Sequence, residues 1–549
     1  MKKLAVDIET DDLDATVIHC IAAQDVDSGQ GYVFRNNEVM SFPKLADQYD
    51  VFIMHNGISF DAPVLNRLTG SKIKPSQVRD TLILSQLSDP SLDGGHSLDA
   101  WGTRLGFPKM DFKDFSTFSE EMLKYCVNDV KLTVKLYKHL IPMLKKFSQR
   151  SIELEHTIRA IVDRQEKNGF TLNVKEASCL VARLSEEAMK IEEEMQQIFP
   201  PIVEERYSEK TGNRLKDKVT VFNPGSRQQI ASRLMEKGWK PTNFTPTGHP
   251  IVDEGTLKNV DIPEAQKIAR YLLLQKRVSQ IQSWIDVVKE DGKVHGRVMT
   301  LKAISGRMAH HSPNMAQIPA VYSPYGKECR AVWTTTSPEY KLLGCDASSL
   351  ELRCLAHYMG DQSFTEEVVG GDIHTANQKM AGLQTRDQAK TFIYALIYGA
   401  GPAKIGSIVG GGAKEGKMIM NRFMRNMPAL QQLRDRVDAA AQNGYVRGLD
   451  GRLLKVRQQH AAVNLLLQGA GAIICKEWLR QITLMTQRDF DYRLVASIHD
   501  EYQFEVRAEQ VERFGFLTQS AMKKVEKELN VRCPLDSEYK VGDNWAETH

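Results

Sequence analysis

A chain of 549 residues and 62.0 kDa is long enough for about three to four structural units. With 42% hydrophobic and 26% charged residues it has an ordinary globular balance. Its net charge of +3 gives no bulk signature of nucleic-acid binding. No run approaches the roughly 20 apolar residues that a bilayer span requires, so no membrane association is expected.

The opening MKKLAVDIET runs straight into a strand pattern, with no apolar core of a signal peptide. Eight scattered cysteines show no C-x-x-C spacing and read as reduced structural thiols of a cytoplasmic protein. Residues 1 to about 145 alternate strand-like and helical patterns, the mark of an α/β unit. In LAVDIET, a strand's period of two puts Asp7 and Glu9 on one face and Leu4, Val6 and Ile8 on the other. Adjacent acids repel unless a cation sits between them; an exposed acidic strand edge is the plain alternative. VFIMHNGISFDAPVL then places Asp61 after an apolar strand. EMLKYCVNDVKLT sets Tyr125 and Asp129 four apart on one helix face. Residues 150–200 read as helical and charged, ended by Pro200–Pro201, with Glu192–Glu194 as a solvated face. Ile202 to Asn223 reads as an exposed basic segment carrying Lys210, Arg214, Lys216 and Lys218. A helical region to about 290 precedes mixed strands and helices from Gly296.

KLLGCDASSLELR reads as an apolar strand ending at Asp346, followed by a helix; RLVASIHDEYQFEV reads as a hairpin turning at His499–Glu501. A lone aspartate at a strand end is usually a turn or helix cap. Between them, RDQAKTFIYALIYG steps Arg386, Lys390, Tyr394 and Tyr398 by four along one helix face. Two cations followed by two rings could hold a triphosphate at one end and a base at the other. The alternative is a cationic first turn over aromatic packing, which the helix dipole disfavours. GGAKEGKM near residue 411 misses the phosphate-loop pattern because Met418 replaces the hydroxyl; it reads as a loop.

Asp7, Glu9, Asp61 and Asp129 with Tyr125, and HSLDAWGTRLG nearby, resemble the DEDDy exonucleases that proofread for family A DNA polymerases. The resemblance implies two Mg²⁺ ions about 3.5–4 Å apart, with Tyr125 placing the attacking water. DASSLELR, RDQAKTFIYALIYG and HDE resemble motifs A, B and C of the same family, most of all the replicative enzymes of short-tailed (T-seven-type) phages. VFNPGSR, ISGRMAHHSPNMAQIP, GDIHTANQ, HAAVNLLLQGAGAIICK and GDNWAETH extend the likeness over almost the whole chain.

The implied architecture is α/β and α+β: an RNase H-like exonuclease domain (1–147), then a right hand. Its parts would be a thumb (148–295), a palm in two pieces (296–362 and 464–549) and fingers (363–463). The implied function is template-directed DNA synthesis with 3′→5′ proofreading. Asp346, Asp500 and the Ala347 carbonyl would hold a second pair of Mg²⁺ ions, with Glu501 in support. Arg386, Lys390 and His374 would hold the nucleotide's phosphates, and Tyr394 would stack on its sugar and base. Glu351 and Tyr394 would exclude a 2′-hydroxyl, and a tyrosine at 394 implies weak rejection of dideoxynucleotides. Tyr398 would stand near the template base. Arg307, Gln317, His460 and Gln468 would read the minor groove, and His499 would face the primer end.

Implied partners are primer-template DNA and dNTPs, with a replicative helicase-primase as a candidate. The enzyme would act as a monomer in a phage host's cytoplasm. The long insertion through which the phage relative recruits thioredoxin is missing, so no thioredoxin partner is expected. The four cations of 202–223 would instead touch duplex phosphates. Three rival readings are a single-subunit RNA polymerase, against which Glu351 argues, a nuclease whose C-terminal part only binds DNA, and a non-catalytic scaffold.

Overall fold

The computed structural model describes residues 1–549. Strand β1 (Lys3–Thr10) pairs antiparallel with β2 (Ile18–Asp25), and β2 with β3 (Gly31–Arg35). On its other edge β1 runs parallel to β4 (Val51–Met54), which runs parallel to β5 (Val78–Asp80). The order is β3-β2-β1-β4-β5. Parallel strands need both faces covered. Leu4, Val6 and Ile8 enter one core, which includes Leu65 of α1 (Asp61–Thr69). Ala5 enters another with Cys126 and Val130 of α2 (Glu120–Leu144). Asp7 and Glu9 therefore share the face that α2 covers.

Helix α3 (Gln149–Asn168) ties this unit to the rest. The buried His156 accepts the Asp80 amide at Nε2 (2.9 Å), while its Nδ1 bonds the Ile152 carbonyl (2.7 Å). From the same helix, the buried Glu155 binds Lys476 at 2.8 Å and Arg452 at 2.6 Å, and Arg452 holds Asp450 at 2.7 Å. Buried charges of this kind persist only as a complete set, because losing one member strands the others.

The expected helical run from 150 to 200 is two helices, separated by a short strand at Phe170–Leu172. Gly169 makes the break: its φ is 64°, and a Cβ there would meet the His295 ring at 2.9 Å. The second helix, α4 (Val174–Ile198), lies antiparallel to α5 (Pro263–Ile285). Their ion pairs set the register: Glu187 with Arg270 (3.0 Å) and Glu194 with Lys267 (2.6 Å). The run Glu192–Glu194 is therefore only partly a solvated face. Between these helices the basic segment forms a hairpin, Ile202–Tyr207 with Arg214–Thr220. Arg214 is paired there with Glu205 and Asp217, and Lys218 with Glu204, so Lys210 and Lys216 are its unpaired cations among the four expected.

The C-terminal half is built on β6 (Tyr340–Ala347), β7 (Tyr492–Ile498), β8 (Glu501–Arg507) and β9 (Ser537–Gly542), all antiparallel in the order β7-β8-β6-β9. Helix α6 (Leu350–Met359) follows β6. Helix α7 (Arg386–Ile397) belongs to a run of helices that breaks at Gly410–Gly412. Helix α8 (Ala462–Thr486) is apolar almost all round and crosses the common core, as a fully buried helix must.

Candidate active sites

At the first site, ligand atoms of Asp7, Glu9 and Cys126 lie within 4.8 Å of one another. Asp61 and Asp129 join them, both buried. Asp61 opens α1 and accepts the Ile8 amide, which fastens it to β1. Asp129 comes from α2, one turn after Tyr125. Burial raises all four carboxyls above their ordinary range. Asp7 is raised further by Asp129, and Glu9 and Asp61 by Asp7. Four acids in one largely buried pocket call for added positive charge, and the oxygen donor set suits a hard divalent cation. Asp129 Oδ1 is buried without a partner, so one ligand position stands open.

Two side chains here were not foreseen. The buried Asp80 accepts the amides of Asn56 (2.8 Å), Ile58 (3.2 Å) and Leu82 (3.0 Å), fixing the loop that delivers Asp61. Lys109 places its ammonium 2.5 Å from Asp129 Oδ2 and 4.7 Å from the centre of the Tyr125 ring. An aspartate before a helix carries only a capping signal, and a lysine in a loop carries none.

At the second site, Asp346, the last residue but one of β6, lies directly opposite Glu501 on β8. The intervening turn needs a left-handed residue, His499 (φ 53°), and lets the Ala347 amide donate to the Asp500 carbonyl at 3.1 Å. Asp346 is pushed up to about 7 by desolvation and then by Asp500; desolvation also raises Asp500. Neither carboxylate has an ion pair. Glu501 pairs directly across from Asp346 and so shares its sheet face, but its oxygens are engaged by other side chains. It accepts from Trp545 (2.6 Å) and Gln503 (2.7 Å), bonds His549 (2.8 Å) and lies 3.6 Å from Arg330. Burial alone would raise it, but His549, Arg330 and Trp545 together hold it below its usual value. GDNWAETH flagged the segment holding Trp545 and His549, but no role was read for them or for Arg330, because their partner lies far off in the chain.

Glu351, in the first turn of α6, holds Arg307 at 3.0 Å and accepts the Tyr398 hydroxyl. Arg307, Glu351, His499 and Asp500 line one small cavity of about 30 Å³. On α7, Ala389, Phe392 and Ile393 are buried, so Arg386, Lys390 and Tyr394 lie along the less buried side. Arg386 pairs with Asp372 (2.9 Å), and the His374 ring lies 6.3 Å from that of Tyr394. Tyr398 caps the helix and is 45% exposed. His460 lines a cavity of about 650 Å³ together with Gly399 and Asn464. Gln468 is half-buried on α8, and Gln317 is exposed on a turn packed against β7. The structure thus gathers Arg307, Glu351, His499 and Asp500 closely, while Gln317 and His460 stand apart from that cavity.

Residues 181–547 match the family model described as DNA polymerase family A, and residues 1–145 match that of a 3′-5′ exonuclease. The DNA-directed DNA polymerase of Enterobacteria phage T3 is 32% identical over 703 aligned positions, covering 100% of both chains. That of Escherichia phage T7 is 32% identical over 700, covering 99% of each. An alignment of 703 positions on 549 residues means that the T3 relative carries insertions absent here. Among solved structures, the POL domain of Pol1 from M. smegmatis, in complex with DNA primer-template and dNTP, superposes with a TM-score of 0.82 at 19% identity. It covers 99% of this chain and 96% of its own. At that identity it speaks for the fold alone.

Proposed function

Because this chain belongs to the family A DNA polymerases, and is a DNA-directed DNA polymerase with a 3′-5′ exonuclease domain, we propose a division of labour between its two carboxylate sites. Asp346 and Asp500, with the Ala347 carbonyl, serve synthesis. Asp7, Glu9, Asp61 and Asp129, with Tyr125, serve proofreading. Each site takes two Mg²⁺ ions, which supply Lewis-acid activation and neutralise charge on the reacting phosphate. The chain's own part is positioning and fixed electrostatics. Arg386, Lys390 and His374 hold the triphosphate, so Arg386 leaves Asp372 when a nucleotide binds. Tyr394 stacks on the incoming nucleotide, and with Glu351 it crowds the 2′ position. Tyr398 waits beside the template base. Arg307, Gln317, His460 and Gln468 sense the minor-groove acceptors that all correct pairs share. His499 abuts the primer end. Tyr125 orients the hydrolytic water.

In this reading residues 148–295 act as thumb, 296–362 and 464–549 as palm, and 363–463 as fingers. Primer-template DNA and dNTPs are the ligands. The enzyme works as a monomer in the bacterial host's cytoplasm, without thioredoxin, alongside a replicative helicase-primase. The likeness to the DNA-directed DNA polymerases of two phages supports that setting. No helix is long and apolar enough to cross a membrane.

One observation carries the reading: the end of β6 and the turn before β8 bring Asp346 and Asp500 together, raised by burial and, at Asp346, by the other's charge, with no ion pair to relieve them. Primer extension with Mg²⁺ and dNTPs tests it. Asp500→Asn is expected to cut synthesis by about 10⁴-fold and leave degradation of single strands intact. Asp7→Ala is expected to do the reverse. Synthesis that survives Asp500→Asn at the wild-type rate rules the assignment out.

A further inference from the structure

Lys109 lies on the loop between the helix Leu98–Arg104 and α2, and that loop is seated from two sides. Gly102 lets it approach: a Cβ there would meet the Phe107 carbonyl oxygen at 2.8 Å and the Lys109 amide nitrogen at 3.3 Å. The Phe107 amide donates to the Gly102 carbonyl at 2.8 Å. From α2, Asn128 donates to the Pro108 carbonyl (3.4 Å), and Lys135 reaches the Leu105 carbonyl (2.8 Å) and lies over the Phe107 ring. The backbone carrying Lys109 is thus held, and its side chain is only 21% exposed.

The ammonium divides Asp129. Oδ2 is engaged at 2.5 Å, whereas Oδ1 is buried with no partner. It also reaches the Tyr125 hydroxyl, whose ring packs against Phe112 and Phe115. Charge counting points the same way. Asp7, Glu9, Asp61 and Asp129 with one scissile phosphate carry five negative charges, and two divalent ions carry four positive ones. Lys109 is the cation whose ammonium contacts the cluster. In a largely buried pocket a residual unit charge is costly, so the lysine completes the balance.

Resting on the exonuclease reading of this cluster, we propose that Lys109 is a positioning residue of the proofreading reaction. It pins Asp129 by one oxygen so that the other alone faces the metal, and it steadies the Tyr125 hydroxyl beside the water's place. Lys109 is not expected to bear on synthesis.

The test compares wild type with Lys109→Met and Lys109→Arg. Degradation of a single-stranded oligonucleotide is measured with Mg²⁺. Calorimetric binding of Mn²⁺ alone is measured in an Asp346→Asn, Asp500→Asn background, so that only the first cluster takes metal. Lys109→Met is expected to lower kcat by about 10- to 100-fold, with KM for DNA changed less than about twofold, and to weaken Mn²⁺ binding by about 10-fold. Lys109→Arg should recover part of both, and primer extension should be untouched. Where methionine disturbs folding, Lys109→Gln must show the same loss of Mn²⁺ binding. Unchanged kcat and Mn²⁺ affinity overturn the proposal. Tighter Mn²⁺ binding in Lys109→Met also overturns it, because the lysine would then be a competitor of the metal. Full nuclease activity in Asp7→Ala would instead remove the exonuclease reading beneath it.

Discussion

In the first site every acid comes from the leading 129 residues, and a cation of the chain's own, Lys109, sits among them. In the second, the aspartates are brought together from positions 346 and 500. There Arg330 and His549 gather around Glu501, and Asp346 and Asp500 are left unpaired. The same electrostatic demand is thus met in two ways. The first pocket is roofed by α2 and carries a built-in charge; the second lies at the end of two interior strands and has no cation paired with its aspartates. Glu501 teaches the rule that separates them: an acid next to a catalytic aspartate stays out of the metal site if its hydrogen bonds are filled from behind.

Removing that backing is the hardest blow to the comparison. Trp545→Phe takes away the 2.6 Å donor to Glu501 and frees the carboxylate to compete beside Asp500. Single-turnover nucleotide incorporation should fall by about 10- to 100-fold while nuclease activity holds. Unchanged incorporation would mean that the cradle is mere packing.

The joint between the two halves gives the next largest effect. Burial pushes His156 down to about 4. A histidine depressed in the fold contributes stability that is complete above about 6.5 and lost as pH falls toward 4. The loss amounts to about 3 kcal/mol in that window, at about 1.4 kcal/mol per pH unit. His156→Gln keeps an acceptor for the Asp80 amide and removes the titration, so thermal unfolding followed between pH 7 and 4 should show a flatter acid limb. An unaltered limb would place the acid sensitivity elsewhere.

The smallest effect concerns the hairpin. Of the four cations expected to meet phosphates, Arg214 and Lys218 are already paired, which leaves Lys210 and Lys216. Replacing both by alanine should lower the slope of log affinity against log salt by about 2 at most. No change in slope would remove these two lysines from the DNA path.

Much of both sites could be read along the chain, for a physical reason. The face of a strand residue repeats every second position and that of a helix residue about every fourth, so Asp7 with Glu9, Tyr125 with Asp129, and the stripe Arg386–Lys390–Tyr394 each follow from local periodicity. The break at Gly169 was missed because the close approach of His295 comes from 126 positions away. The hairpin at 202–220 was missed because its charges hide the alternation.

What the sequence by itself determined is which acids exist and which face of its own element each occupies. What only the tertiary structure decided is the company they keep: Lys109 on Asp129, Asp80 behind Asp61, and Trp545 and His549 behind Glu501. A carboxylate's charge state and aim depend on neighbours within a few ångströms. Those neighbours are chosen by how loops and distant strands close around it, which no local period encodes.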